Sequence, residues 1–365
     1  MNLAHQAEFP GMSLPAGAAS EVSAPSGYAA HPNLRCQVAP VETSGTLAPA
    51  AEPLTLFQSS AKAMGTVVSL RVVGAAHEAE MRNRAARAFG WFGRVEASCS
   101  RFDPLSEVMI VCREVGRPVA ASDLLFGLIE LALTLARRSR GAFDPTVGLA
   151  LERAGFDRHY RTGERIHTPI PAPVPGDARP TYRDVHLDTH LRSVTLRRPL
   201  VLDLSALAKG LAIDLAAREL AGYPGFAVEA GGDLYLGGTN ERGAPWVVGI
   251  RHPRIQGALI DTLALSDMAV CTSGDYERRV DAGPISHHLL DPAQGQSAVR
   301  AASATVVAPT AMLADGLSTA AFVLGPRRAL PFLERAGADG LIVTPQLERK
   351  ETPGYARHRA VAHPA

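Results

Sequence analysis

The sequence predicts an α+β fold, and three observations carry that prediction. Strand-like segments come in runs instead of alternating one for one with helices, the pattern of sheets with helices packed alongside and not of a doubly wound parallel sheet. The glycine-rich segment that most resembles a nucleotide loop, EAGGDLYLGG (229 to 238), lacks the Gly-x-Gly-x-x-Gly spacing of a Rossmann turn. A chain of 365 residues with 46% hydrophobic content is long and apolar enough to bury the core of one large domain or two ordinary ones. Its 37 basic and 36 acidic side chains nearly cancel, so the overall field neither gathers nucleic acid nor holds the chain on an anionic membrane. That leaves small molecules and other proteins as partners. Cys36, Cys99, Cys112 and Cys271 form no CxxC pair, which argues against a zinc knuckle or a disulfide framework and suits a reducing compartment.

Residues 1–60 are rich in Ala, Pro, Ser and Gly and poor in large apolar side chains, so a flexible leader is expected there, with order beginning near Met64. The leader has no basic start followed by an apolar core and no lipid-acceptor pattern around Cys36, which points to a cytoplasmic protein. TVVSLRVV (66 to 73) alternates as a strand does. Met81, Ala85, Ala88, Phe92, Val95 and Cys99 then recur at steps of three and four, one face of a helix. Ser122 is placed to cap a second helix, with Leu125, Leu128, Ile129, Ala132 and Leu135 on one side and Arg137, Arg138 and Arg140 before Gly141. Closely spaced prolines between about 157 and 182 exclude regular structure. Strands are expected at 185–188, 193–197 and 199–204, followed by a helix holding Lys209. FAVEAGGDLYLGG, WVVGIRHP, DTLALSDMAVCTSGDYE and SATVVAP read as further strands, then come helices at about 310–324 and 326–336 and the strand GLIVTP. The folded domain is thus expected over 61–348, with a flexible tail from 349 to 365.

Several stretches carry residues suited to chemistry. In SALAKGLAID (205 to 214) a lysine interrupts a run that otherwise reads as the buried side of a helix. A buried ammonium calls for an anionic neighbour, either Asp203 or a phosphate cradled by the free N–H groups at the helix start; the alternative is that Lys209 reaches water. Asp315 and Thr319 lie four apart, hence on one helix face, and a carboxylate plus a hydroxyl suits Mg²⁺, which completes its shell with water and phosphate oxygens. The competing reading has Thr319 bonded to the carbonyl one turn back and Asp315 in solvent. EAGGDLYLGG is either a close backbone approach to a ligand or a hairpin with glycine corners, and CTSGDYERR (271 to 279) either a phosphate turn or a plain one. In ISHHLLDP (285 to 292) one of His287 and His288 could take a proton from a hydroxyl, or both could be structural.

Taken in order, AMGT, SRFDPLSEV, GAFDPTVG, DLSALAKG, EAGGDLYLGG, TSGDYER, HHLLDP and SATVVAPTAMLADGLSTAAFVLG resemble the successive blocks of the FAD:protein FMN transferases, the ApbE family, over about residues 62–346. The resemblance implies mixed sheets with packed helices, related to the T-fold. It also implies Mg²⁺-dependent cleavage of the FAD pyrophosphate, with AMP leaving and the FMN phosphoryl passing to a threonine of an acceptor protein. By motif position, flavin-nucleotide contacts would fall on Met64, Phe102, Ala142, Phe143, Asp144, Asp203, Lys209 and Leu289. The metal would be held by Asp315, Thr319 and residue 206, here Ala206, which offers only its backbone carbonyl. His288 matches the general base. Phe102 stands where an aromatic hydroxyl is common, and the family's lipoprotein leader is not seen. The acceptor motif, an acidic residue followed by Ser/Thr-Gly-Ala-Thr, does not occur, so self-modification is not expected. FAD hydrolysis to FMN and AMP, or FAD binding without turnover, are the alternative activities.

Overall fold

The computed structural model describes residues 54–75, 77–166, 179–279 and 286–360, all within one compact unit. Its elements, in chain order, are β1 (Thr55–Ala63), β2 (Thr66–Gly74), α1 (Glu78–Cys99), α2 (Glu107–Arg113), β3 (Val119–Ala120), α3 (Asp123–Arg138), α4 (Gly148–Arg153), β4 (Val185–Asp188), β5 (Ser193–Leu196) and α5 (Ser205–Leu220). There follow β6 (Gly225–Ala230), β7 (Asp233–Gly238), β8 (Trp246–Arg251), β9 (Leu259–Leu265), β10 (Met268–Gly274), β11 (Leu290–Asp291), β12 (Gln296–Ser297), β13 (Ser303–Ala308), α6 (Ala311–Leu324), α7 (Pro326–Arg335), β14 (Asp339–Val343) and β15 (Arg349–Glu351). Eight strands form the main sheet in the order β1-β2-β6-β7-β10-β13-β14-β15. Every neighbouring pair in it is antiparallel, so the α+β class is observed.

Each face of that sheet is covered differently. Helices α5 and α6 lie against β6, β10 and β13, and α1 packs on α5. The six apolar positions expected for α1 are its buried residues, and the Ser122 hydroxyl accepts from the Leu125 N–H as a cap. The β8–β9 hairpin lies on the opposite face, where Trp246, Ile250 and Leu263 join Leu236, Val270, Val307 and Leu341 in one cluster. Strand β13 is buried along its whole length, as a central strand covered on both sides must be. No helix among the described residues is long and apolar enough to cross a membrane.

Three expectations are corrected. Regular structure is already present ahead of Met64, from Thr55, because β1 pairs along its full length with β2. An edge strand is held by backbone hydrogen bonds as well as by apolar burial, so its polar TLFQSSAKA sequence hid it. The rest of the expected leader, 1–53, lies outside the described residues. The expected tail is folded as far as residue 360: β15 pairs with β14, the Tyr355 ring is fully buried, and Asp339 accepts from Thr352, Arg357 and His358. Residues 361–365 lie outside the description, as does 167–178 of the proline-rich stretch. The 199–204 segment is buried but joins no sheet; its backbone bonds run to other groups, with the Asp203 N–H donating to the Pro145 carbonyl and the Val201 carbonyl accepting from Gly148.

Candidate active site

Helix α5 delivers Lys209 beneath the start of β7. The β6–β7 turn is a two-residue hairpin whose central positions, Gly231 and Gly232, have φ of +60° and +91°, a conformation that glycine adopts without strain. The next residue, Asp233, is thereby turned inward, 2% exposed, and its Oδ2 pairs with the Lys209 ammonium. Its other oxygen accepts from the Thr272 N–H at 3.0 Å. Asp315 Oδ2 lies 3.8 Å from the same ammonium. Lys209 therefore has carboxylate neighbours, as burial demands, but they are Asp233 and Asp315; Asp203 is not among them.

Asp203 serves another group. Its Oδ2 accepts from Arg101 Nε at 2.6 Å and its Oδ1 from the Ser205 N–H at 3.0 Å and from the Ser205 hydroxyl. The α5 N-terminus, expected as an open phosphate cradle, is thus capped from within by this carboxylate. Burial alone would raise the Asp203 pKa, but the Arg101 guanidinium and the Ser205 bonds outweigh it and hold the carboxyl below its usual range. Arg101 also donates to the Phe156 carbonyl at 2.6 Å and lies over the Phe102 ring, 4.1 Å from its centroid.

The α5 and α6 helices meet at closest quarters over Gly210. A Cβ there would fall 2.5 Å from both the Ala311 carbonyl oxygen and Met312 Cα, so only glycine permits this crossing. One turn on, Asp214 accepts from the Ala311 and Met312 N–H groups at 2.7 and 2.9 Å and so caps α6. Burial raises the Asp214 pKa to about 6 against those two bonds, with Asp315 adding repulsion. Asp315 is 6% exposed and not in solvent. Burial raises its pKa too, while Lys209, Arg278 and the Gly210 N–H oppose that rise. The Thr319 hydroxyl lies 3.2 Å from Ser273 Oγ, and it is Ser318 that bonds back to the Asp315 carbonyl.

His287 and His288 have different surroundings. The His287 ring sits between the Ala298 carbonyl, 3.0 Å from Nε2, and the Leu289 N–H, which donates to Nδ1 at 3.3 Å. Both of its nitrogens are engaged, and its ring meets Phe322 edge-on. The His288 Nδ1 is buried and has no hydrogen-bond partner, while the ring bonds to the Glu277 backbone. Burial lowers the His288 pKa to about 3, with Arg278 and His287 acting in the same sense and Asp203 against them. The charge of the exposed Arg278 acts on both His288 and Asp315, and the His288 ring lies edge-on to Phe156, 6.4 Å between centroids.

The remaining residues expected at the flavin nucleotide have their own local settings. Met64 occupies the β1–β2 turn at φ 49°, with Tyr160 packed beside Gly65. Phe143 is buried, its N–H donating to Ser139 Oγ at 3.0 Å. Asp144 Oδ1 accepts from the Thr146 N–H and hydroxyl and its Oδ2 from the Tyr182 N–H; burial raises its pKa against these bonds. Ala142 is half-buried on the same loop and Leu289 is buried next to the two histidines. Asp233, Arg101, Arg278 and Ser273 belong to the site without having been singled out. All four lie inside stretches already quoted, SRFDPLSEV, EAGGDLYLGG and CTSGDYERR, and only a fold could show which residue of each meets which partner.

Among the described residues no three His, Cys, Asp or Glu side chains form a ready metal cage. The donors expected from the sequence are Asp315, the Thr319 hydroxyl and the Ala206 carbonyl. The buried Asp315 Oδ2 has no hydrogen-bond partner, and an orphaned carboxylate oxygen among Asp214 and Asp233 fits a hard divalent cation with few protein ligands.

The chain's likeness to known proteins agrees with this geometry. It is 33% identical over 234 residues to a Haemophilus influenzae protein named FAD:protein FMN transferase, covering 61% of this chain and 66% of that one, so the chain spans just under two thirds of that relative. A Treponema pallidum protein of the same name is 30% identical over 322 residues, 80% of this chain and 85% of that one. The ApbE protein of Thermotoga maritima superposes with a TM-score of 0.73 at 30% identity, covering 84% of this chain and all of that one. The flavin transferase ApbE of Vibrio cholerae superposes at 0.72 and 25%, again over 84% of this chain and all of that one. With its blocks in order, its helix-carried lysine and carboxylate side by side, and the ApbE family model matching residues 64–342, the chain belongs to the ApbE family.

Proposed function

We propose that this protein is an FAD:protein FMN transferase: it cleaves the pyrophosphate of FAD, releases AMP and places the FMN phosphoryl group on a threonine of an acceptor protein. The observation that supports the proposal is Lys209 held between the buried carboxylates Asp233 and Asp315 on α5, β7 and α6; the buried, unpartnered His288 Nδ1 supplies a candidate proton acceptor. Phosphoryl transfer asks for charge neutralisation and in-line positioning more than for covalent chemistry.

Phe102, backed by the Arg101 guanidinium, offers a stacking ring, while Met64, Ala142, Phe143, Asp144 and Leu289 border the flavin nucleotide. Asp203 keeps Arg101 and the start of α5 in place. Lys209, steered by Asp233, faces the pyrophosphate. Asp315, Thr319 and the Ala206 carbonyl would hold Mg²⁺, which when bound supplies positive charge to the phosphate oxygens. His288 is neutral near pH 7, so its Nδ1 can accept the threonine proton as the hydroxyl oxygen bonds to the FMN phosphorus. The bond from that phosphorus to the bridging oxygen breaks, and AMP leaves with that oxygen. An anionic substrate nearby raises the basicity of this imidazole from its low resting value.

The test is to incubate the purified protein with FAD, Mg²⁺ and a peptide carrying the acidic residue and Ser/Thr-Gly-Ala-Thr motif. The expected result is a fluorescent peptide heavier by FMN, with equimolar AMP. AMP formed equally without peptide would reassign the activity to hydrolysis, and tight FAD binding with no AMP would leave a carrier.

A further inference from the structure

Where α3 ends and the chain turns through Ser139 and Arg140, α7 runs alongside and a pocket of about 220 Å³ opens between them. Five arginines, all exposed, are among its lining residues: Arg138, Arg140, Arg327, Arg328 and Arg335. No carboxylate lines it, and among the described residues none of the five takes part in an ion pair. Some arginines elsewhere are matched to acids, as Arg101 to Asp203, Arg254 to Asp275 and Arg300 to Asp291, and others to backbone carbonyls, as Arg113 and Arg158. Of the lining residues only Ser139 bonds to a residue expected at the flavin nucleotide, through the Phe143 N–H; none contacts Lys209 or its carboxylates.

Guanidinium groups stay charged at every physiological pH, and five exposed ones around one concavity give it a positive potential that an anion relieves, although solvent and salt screen it in part. Their positions add to this. Arg327 and Arg328 stand in the first turn of α7, which holds no acidic residue. A helix start disfavours cations and favours anions through its dipole; here Pro326 has no N–H and those of Arg328 and Ala329 bond to the Gly325 carbonyl, which leaves that of Arg327. The planar fork of arginine matches two oxygens of a phosphate at once. We propose that this pocket binds the phosphoryl group of a small molecule, a phosphomonoester or a pyrophosphate, at a second site apart from the one built on Lys209.

The experiment is calorimetric titration of the full chain with sodium pyrophosphate at fixed ionic strength, without divalent metal, and with saturating FAD so that the Lys209 site does not report. Arg328→Gln/Arg335→Gln and, on the opposite wall, Arg138→Gln/Arg140→Gln should each weaken binding about tenfold or more, given the strength of charge-assisted hydrogen bonds. The control Arg82→Gln/Arg117→Gln, at two exposed arginines outside the pocket, should leave it unchanged. Equal affinity in wild type and both pocket variants would overturn the proposal. So would a triglutamate peptide binding as tightly as pyrophosphate, since the pocket would then respond to charge and not to phosphate. Capture by vesicles containing phosphatidic acid without any affinity for soluble pyrophosphate would overturn the small-molecule assignment. If FAD fails to bind at all, the flavin-transferase proposal falls, while the variant comparison without FAD still decides this one.

Discussion

Replacing Arg101 by Met tests the buried ion pair that supports the site. Its guanidinium side chain is 4% exposed and that of Asp203 is 7% exposed, so solvent screens the pair little. Removing one partner of such a pair leaves a desolvated charge and typically costs about 3–5 kcal/mol. At roughly 2 °C per kcal/mol for a domain of this size, the melting temperature should fall by about 6–10 °C. The loss also depends on pH. Asp203 titrates below its ordinary value in the folded chain, so the pair's stabilisation is present above the unfolded carboxylate pKa of about 3.9 and disappears as pH falls through the folded one. Wild type and variant should therefore differ most above pH ~5 and converge in acid. Differential scanning calorimetry from pH 3 to 8 measures this. Adding Asp203→Asn to the variant should cost less than the sum of the two single changes, with a coupling of about 1–3 kcal/mol. Additive losses, or a drop of less than about 1 kcal/mol in the single variant, would refute the assigned pairing.

Gly210→Ala should destabilise the fold by about 1–3 kcal/mol despite the better helix propensity of alanine, because its methyl group collides with the α6 backbone; thermal melts check this, and turnover should fall further as Asp315 shifts from Lys209. Asp315→Asn should cut turnover by about 10²-fold or more while the melting temperature stays within about 2 °C, since burial already disfavours the charged carboxyl; chelation with EDTA should silence the wild type, and Mg²⁺ should restore it. His288 has a folded pKa of about 3 against about 6.5 unfolded. The unfolded chain therefore binds more protons between those values, and stability is lost as pH falls below ~6.5, by about 2 kcal/mol at pH 5. In His288→Gln that acid loss should shrink, as read by urea melts at pH 5 and 7, and FMN transfer should slow by about 10²-fold or more.

How much of this was legible along the chain depended on whether a signal was local. The spacing of Met81, Ala85, Ala88, Phe92, Val95 and Cys99 records one helix face, and the Ser122 cap spans three residues; both needed no tertiary information. The apolar setting of Lys209 left two readings open, an anionic neighbour or a reach to water, and the fold supplies the first. Which acid it met was not legible either, because Asp233 arrives through a glycine turn and Asp315 through a helix crossing. The role of Asp203 was missed for the same reason, since its partner Arg101 is 102 residues away. Strand β1 and the segment around Tyr355 escaped notice because pairing to an existing sheet orders sequences too polar to fold unaided. The choice between His287 and His288 rested on what each ring nitrogen touches, which adjacent identical residues cannot reveal.

The Asp214 clamp and the bare backbone at Gly210 make α5 and α6 a matched set, cut to one another atom by atom. Anyone grafting the α6 helix of a relative into this chain should expect failure unless its α5 counterpart travels with it, since a methyl group or a missing acceptor on either surface would separate the two. Laboratory recombination and natural drift alike must treat residues 205–220 and 311–324 as a single inherited cassette.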